Sequence, residues 1–256
     1  MKKNILNLLG LVFFSSILFT SCLGDTDSYA IVNKDYVLVQ YDYDYGGAYA
    51  IANVGGIYFN ALDSSKYQPG DIYLLSTYRV DPNKTNAYGI LLAENVVVDN
   101  SISYKIANRK YLNLSIPSVV TDSALTFSKI DIVAYSAYEA RLKDNYIIAY
   151  TCQQRGGQSI DVEFSYDSQQ TSDTARVNVR LIKGPTDDTS VETVTKTVAV
   201  NLSSLRDILD AKLGTLAAAK NVSIQFRWYK YNGTKQECEE TSTTGPSMYF
   251  NASSNN

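Results

Sequence analysis

Apolar and polar side chains alternate in short runs along most of this chain, and glycine, proline or asparagine closes the runs. A period of two marks a strand that buries one face and wets the other. Ile160, Val162, Phe164 and Tyr166 alternate with Asp161, Glu163 and Ser165, and Val177, Val179 and Leu181 alternate with Asn178 and Arg180. The runs are rich in tyrosine and β-branched residues, the types that fit a pleated surface.

In the first half the pattern predicts strands over 36–43, 48–54, 57–60, 71–80 and 88–99, with turns at Gly46-Gly47, Gly55-Gly56 and Gln68-Pro69-Gly70-Asp71. Five short antiparallel strands of this length predict a small barrel of the OB type over 36–115. Residues 100–127 are less regular and carry Pro117 and a polar Thr121-Asp122-Ser123 cluster, as a crossing between domains would. Strands then resume at 130–137, 146–152, 159–166, 176–182, 193–202 and 222–231, predicting an immunoglobulin-like β-sandwich over 116–256. One segment departs from this period. Leu202, Leu205, Leu209, Leu213 and Leu216 recur every three or four residues, which predicts a short amphipathic helix capped by Ser204, with Asp207 in its first turn. The expected fold is all-β with that single helix.

The first residues follow a different grammar. Lys2 and Lys3 precede an apolar run from Ile5 to Phe19, and Phe19-Thr20-Ser21-Cys22 ends it with a small-residue cleavage site and a thiol. This is a lipoprotein signal over 1–21, too short to span a bilayer comfortably, with Cys22 as the lipidated residue and 22–35 as a polar tether. More than one acyl chain on Cys22 would give stable anchoring. The expected location is the cell envelope, as an outer-membrane lipoprotein of a Gram-negative cell. Asp25 and Asp27, just after the lipid, resemble tethers of surface-exposed lipoproteins.

Charge and composition then remove whole classes of activity. The leader carries two of the 23 basic residues and none of the 26 acidic ones, so the mature chain has a net charge of −5. Its basic residues are spread among acids, which argues against a nucleic-acid partner. The chain has no histidine. Triads, histidine bases and histidine-ligated metals are therefore excluded, and no cofactor or metal is expected. Besides Cys22 there are only Cys152 and Cys238, whose number fits one disulfide in an oxidising compartment or two separate buried thiols.

Three sets of residues are candidates for chemistry. Tyr41, Tyr43 and Tyr45 alternate in the first hairpin, with Tyr49 across its turn, and either stack on a ligand or fill the barrel. Asp161 and Glu163 share a strand face about 6.5 Å apart, a spacing compatible with a glycosidase pair, but their alternation with apolar residues marks that face as solvated. Asp122-Ser123-Ala124 and Asp173-Thr174-Ala175 resemble an O-glycosylation acceptor pattern at Ser123 and Thr174.

The lipoprotein leader, the tyrosine-rich first domain with Gln68-Pro69-Gly70-Asp71, and the β-sandwich together resemble the NigD-like lipoproteins. The likeness extends to Asn145-Tyr146-Ile147-Ile148-Ala149-Tyr150 before Gly156-Gly157, to Val198-Ala199-Val200-Asn201-Leu202-Ser203-Ser204-Leu205, and to Ile224-Gln225-Phe226-Arg227-Trp228-Tyr229-Lys230-Tyr231. That family often carries a histidine after the glycine pair, where this chain has Gln158-Ser159. The resemblance implies an OB-like domain followed by a sandwich in an envelope protein. The resulting expectation is a lipid-anchored, non-enzymatic protein binding another envelope protein or a glycan; the alternative is a carboxylate-dependent enzyme acting on glycans.

Overall fold

The computed structural model describes residues 30–42, 47–52, 55–58, 68–85, 91–98, 106, 109–114, 127–135, 142–167, 174–214, 216, 218–231, 236–240 and 246–252. They belong to two compact units, one formed by 1–69 and 74–104 and the other by 70–73 and 105–256.

The first unit is a closed five-stranded barrel of β1 (Ala30–Asp42), β2 (Gly47–Ala52), β3 (Gly55–Tyr58), β4 (Ile72–Thr85) and β5 (Leu91–Val98). Its strand order, β1-β2-β3-β5-β4, and the parallel pairing of β3 with β5 are those of an OB barrel, as expected. Repeated register shifts where β4 pairs with β5 supply the local bending that closure of so few strands requires. Val37, Val39, Ala50, Leu75 and Tyr78 are buried, and the Tyr78 hydroxyl donates to Asp35 Oδ2 at 2.9 Å, tying β4 to β1 inside the barrel. Gly55-Gly56 is not the turn that its glycines predicted. Both residues lie in β3, paired with Ala52 and Ile51.

The second unit is built on one continuous curled sheet, β13-β12-β10-β9-β6-β11-β8-β7, with β14 added against β12. Its strands are β6 (Arg109–Asn113), β7 (Phe127–Ala134), β8 (Asn145–Arg155), β9 (Ile160–Tyr166), β10 (Thr174–Lys183), β11 (Val191–Asn201), β12 (Lys220–Tyr231), β13 (Gln236–Glu240) and β14 (Ser247–Phe250). The two halves of the expected sandwich face each other across Tyr146, Phe164, Val177, Val200 and Phe226, with ring centroids 6.0 Å apart for Tyr146–Phe226 across the core and 6.1 Å apart for Phe164–Phe226 within one half. The join between the halves is β6. It runs parallel to both neighbours, pairing Arg109 to Tyr111 with β11 and Leu112 to Asn113 with β9. This corrects the domain boundary. The expected break at 115/116 assigns β6 to the barrel, whereas the second unit resumes at residue 105 and uses β6 as its central strand.

Helix α1 (Ser203–Leu213) lies where the leucine spacing predicts and buries Leu205 and Leu209. Its start differs. Ser204 makes no cap; instead Asn201 Oδ1 accepts from the Ser203 N–H at 3.2 Å and from the Ser203 hydroxyl at 2.6 Å. Gly214 ends the helix with φ +61°, a left-handed backbone that glycine adopts at no steric cost, and its N–H bonds Asp210 O.

Candidate functional site

The alternation that buries Val162, Phe164, Val177, Val179, Phe226 and Trp228 turns the residues between them to the opposite side of the sheet. That outer face, running over β6, β9, β10 and β12, carries the acidic pair. Arg180 on β10 stands opposite Glu163 on β9, with its Nη1 3.6 Å from Glu163 Oε2. From β6, Asn113 Nδ2 donates to Glu163 Oε1 at 3.3 Å. Lys110 Nζ donates to Asp161 Oδ2 at 2.5 Å, and the Val162 N–H donates to the other oxygen at 2.8 Å. Burial pushes the Asp161 carboxyl up, but the Lys110 and Val162 hydrogen bonds and the charges of Lys110 and Lys196 outweigh it and hold the group below the usual carboxylate range. A glycosidase acid needs the opposite shift. Asp161 and Glu163 form an ion-paired surface, and Asp161 is held in the form that cannot donate a proton to a leaving group.

Two exposed tyrosines flank this row. Tyr111 on β6 is 68% exposed and alternates with buried Leu112; Tyr229 on β12 is 45% exposed and alternates with buried Trp228. The Arg109 guanidinium lies 5.6 Å from the Tyr111 ring centroid. Neither tyrosine emerges as a site from the sequence, because 100–127 looks irregular and Tyr229 is one aromatic among many. The available signal is the alternation in 222–231, which places Tyr229 outward once Trp228 is assigned to the core.

A second polar cluster joins two of the segments that carry the family resemblance. Arg206 of α1 donates through Nε and Nη2 to the two carboxylate oxygens of Asp144 at 2.6 and 2.5 Å, and through Nη1 to Tyr249 O at 2.8 Å. Asp144 and Lys143 both have left-handed backbones, φ +59° and +45°. The strained turn is held from below, since Asn145 Nδ2 donates to the Leu142 and Lys143 carbonyls, and Asn201 Nδ2 to Lys143 O. The cluster satisfies its own groups and is structural. Gln158 has a similar role, donating from Nε2 to Gly184 O at 2.9 Å and accepting the Arg155 N–H at Oε1. An amide thus ties two loops just after the glycine pair.

The remaining sequence candidates separate. Tyr41 is exposed at the end of β1, opposite Ala48, whereas Tyr49 pairs with Gln40 and donates to its Oε1 at 3.1 Å. Tyr49 therefore lies on the other face from Tyr41. Tyr43, Tyr45, Ser123 and Cys22 lie outside the described residues. Thr174 begins β10 half-buried, opposite Ser223 of β12. Cys152 is a free thiol buried in the sandwich core, which corrects the proposed bond to Cys238. Cys238 sits on β13 opposite Tyr229, whose side chain points out of that core. Burial raises the Cys152 thiol, partly offset by the charges of Lys196 and Lys183, so it is a poor nucleophile. Among the described residues no cluster of potential metal ligands occurs, and no helix is long and apolar enough to cross a membrane.

No protein-family model matches the sequence, and no curated protein matches it. Solved structures do. An uncharacterised protein from Parabacteroides merdae is 17% identical, with a TM-score of 0.62 over 85% of this chain and 98% of its own. The two chains share a fold. Similar structures also include a candidate lipoprotein from Bacteroides fragilis, 9% identical over 86% of this chain and 98% of its own, with a TM-score of 0.47. A NigD-like immunity protein from Bacteroides caccae is 13% identical over 89% of this chain and 98% of its own, with a TM-score of 0.40.

Proposed function

We propose that this chain is a lipid-anchored protein of the cell envelope, held at the outer membrane through Cys22, and that it works by binding a glycan or another envelope protein. The leader and its terminal cysteine support the anchor. The observation that carries the non-enzymatic reading is the state of the acidic pair. The carboxylate pair Asp161 and Glu163 is committed to Lys110, Arg180 and Asn113, and Asp161 is stabilised in its ionised form. The absence of histidine removes the commonest general acid and base.

Incubation of the purified protein with a panel of polysaccharides, followed by chromatography of the products, tests this reading. Retention of polysaccharide without new reducing ends is the expected result. Release of oligosaccharides that disappears in Asp161→Asn or Glu163→Gln would replace it with the enzymatic alternative.

A further inference from the structure

Resting on that reading and naming its site, we infer that the outer face of β6, β9, β10 and β12 binds a neutral glycan laid across the strands. Tyr111 and Tyr229 serve as stacking platforms, and Asn113, Glu163 and Arg180 form the hydrogen-bonding row between them. Register brings these groups close together. Arg180 is paired with Glu163, Leu112 is paired with Phe164 so that Tyr111 falls beside Glu163 and Asn113 one same-face step beyond it, and Asn178 is paired with Arg227, one same-face step before Arg180 and Tyr229. From β12 to β6 is three strand spacings, so the two rings stand roughly 14 Å apart, about the length of three pyranose units.

The chemistry of the row selects the occupant. An apolar protein surface pressed onto it would bury the Arg180–Glu163 and Lys110–Asp161 pairs without new partners, a costly desolvation. Sugar hydroxyls both donate and accept, so they satisfy such groups as they cover them. The Arg180–Glu163 and Lys110–Asp161 pairs leave the row itself without net charge. The flat rings at either end offer apolar faces to the C–H faces of sugars, while their hydroxyls stay wet.

Affinity electrophoresis of the full-length protein in detergent, in native gels containing barley β-glucan, yeast mannan, arabinogalactan or polygalacturonate, tests this. Retardation is expected in at least one of the three neutral gels. Tyr111→Ala and Tyr229→Ala should each weaken it about tenfold or more, the scale of losing one stacked ring. Tyr111→Phe should retain it. Because both rings are exposed, the thermal midpoint of each variant should stay within about 2 °C of wild type. Retardation only by polygalacturonate, or none in any neutral gel, would overturn the inference. Neutral retardation that survives both alanine variants would overturn this face alone and leave the binding function standing.

Discussion

Asp144 is a carboxylate almost wholly withdrawn from water, with a side chain 3% exposed, and its stability depends on the two-pronged grip of Arg206. Removing one member of such a pair leaves a buried charge uncompensated. Arg206→Met keeps the apolar stem and should cost about 3–5 kcal/mol in urea unfolding at neutral pH. Adding Asp144→Asn should recover part of that loss, because asparagine removes the charge and tolerates the left-handed backbone at that position. An additive or larger loss in the double variant would mean that packing, not charge, dominates. Asp161 is the contrasting case, with a half-exposed side chain. Its folded pKa is depressed, so its contribution is present above the unfolded value near 3.9 and is lost as pH falls through the lower folded value. Solvent screening limits that contribution to about 1 kcal/mol at most. Thermal melts of Asp161→Asn should therefore fall slightly below wild type at pH 7 and converge with it at strongly acid pH.

At the scale of elements, the loop between β10 and β11 is held against the β8–β9 turn by close packing. A Cβ on Gly156 would lie 2.1 Å from Asp188 Oδ2 and 2.9 Å from Ser190 Oγ, and Asp188 itself accepts from both the N–H and the hydroxyl of Ser190. Gly156→Ala should push the Asp188 and Ser190 side chains aside, cost about 1 kcal/mol or less, and speed proteolytic cutting within 184–190. Equal cutting rates in the two proteins would count against the clash. The longer strands were legible in the sequence because their two faces meet different surroundings; β9 and β10 show their alternation plainly. Strand β6 was not. It has five residues, divides them between two neighbours, and interleaves Lys110 and Leu112 with Arg109, Tyr111 and Asn113, so no single periodic run marks it. The start of α1 was obscured by a leucine at 202 that continues the helical spacing backwards, while the group that bonds the first turn is Asn201. The acidic face was legible as exposed, but not as neutralised. Lys110 reaches Asp161 from 51 residues away, a pairing that topology alone creates.

At the scale of the whole molecule, the proposed lipid anchor rests on Cys22. Cys22→Ala removes the thiol that would receive the acyl chains, so the variant should leave the membrane fraction or accumulate with its leader attached. Mass analysis of fractionated cells reads either outcome, and a matured, membrane-bound variant would defeat the anchor. The parallel placement of β6 has a different consequence, in time. Its partners on β11 lie roughly ninety residues further along the chain, so their pairing waits on a long loop closure. If β6 docks after the two halves have formed, Leu112→Ala should accelerate unfolding and leave the refolding rate nearly unchanged in stopped-flow measurements. A slower refolding limb would instead place β6 in the nucleus. In the late-docking order, β9 and β11 each keep an unpaired flank until β6 arrives, and during that interval the chain offers strangers two strand edges that the finished protein conceals.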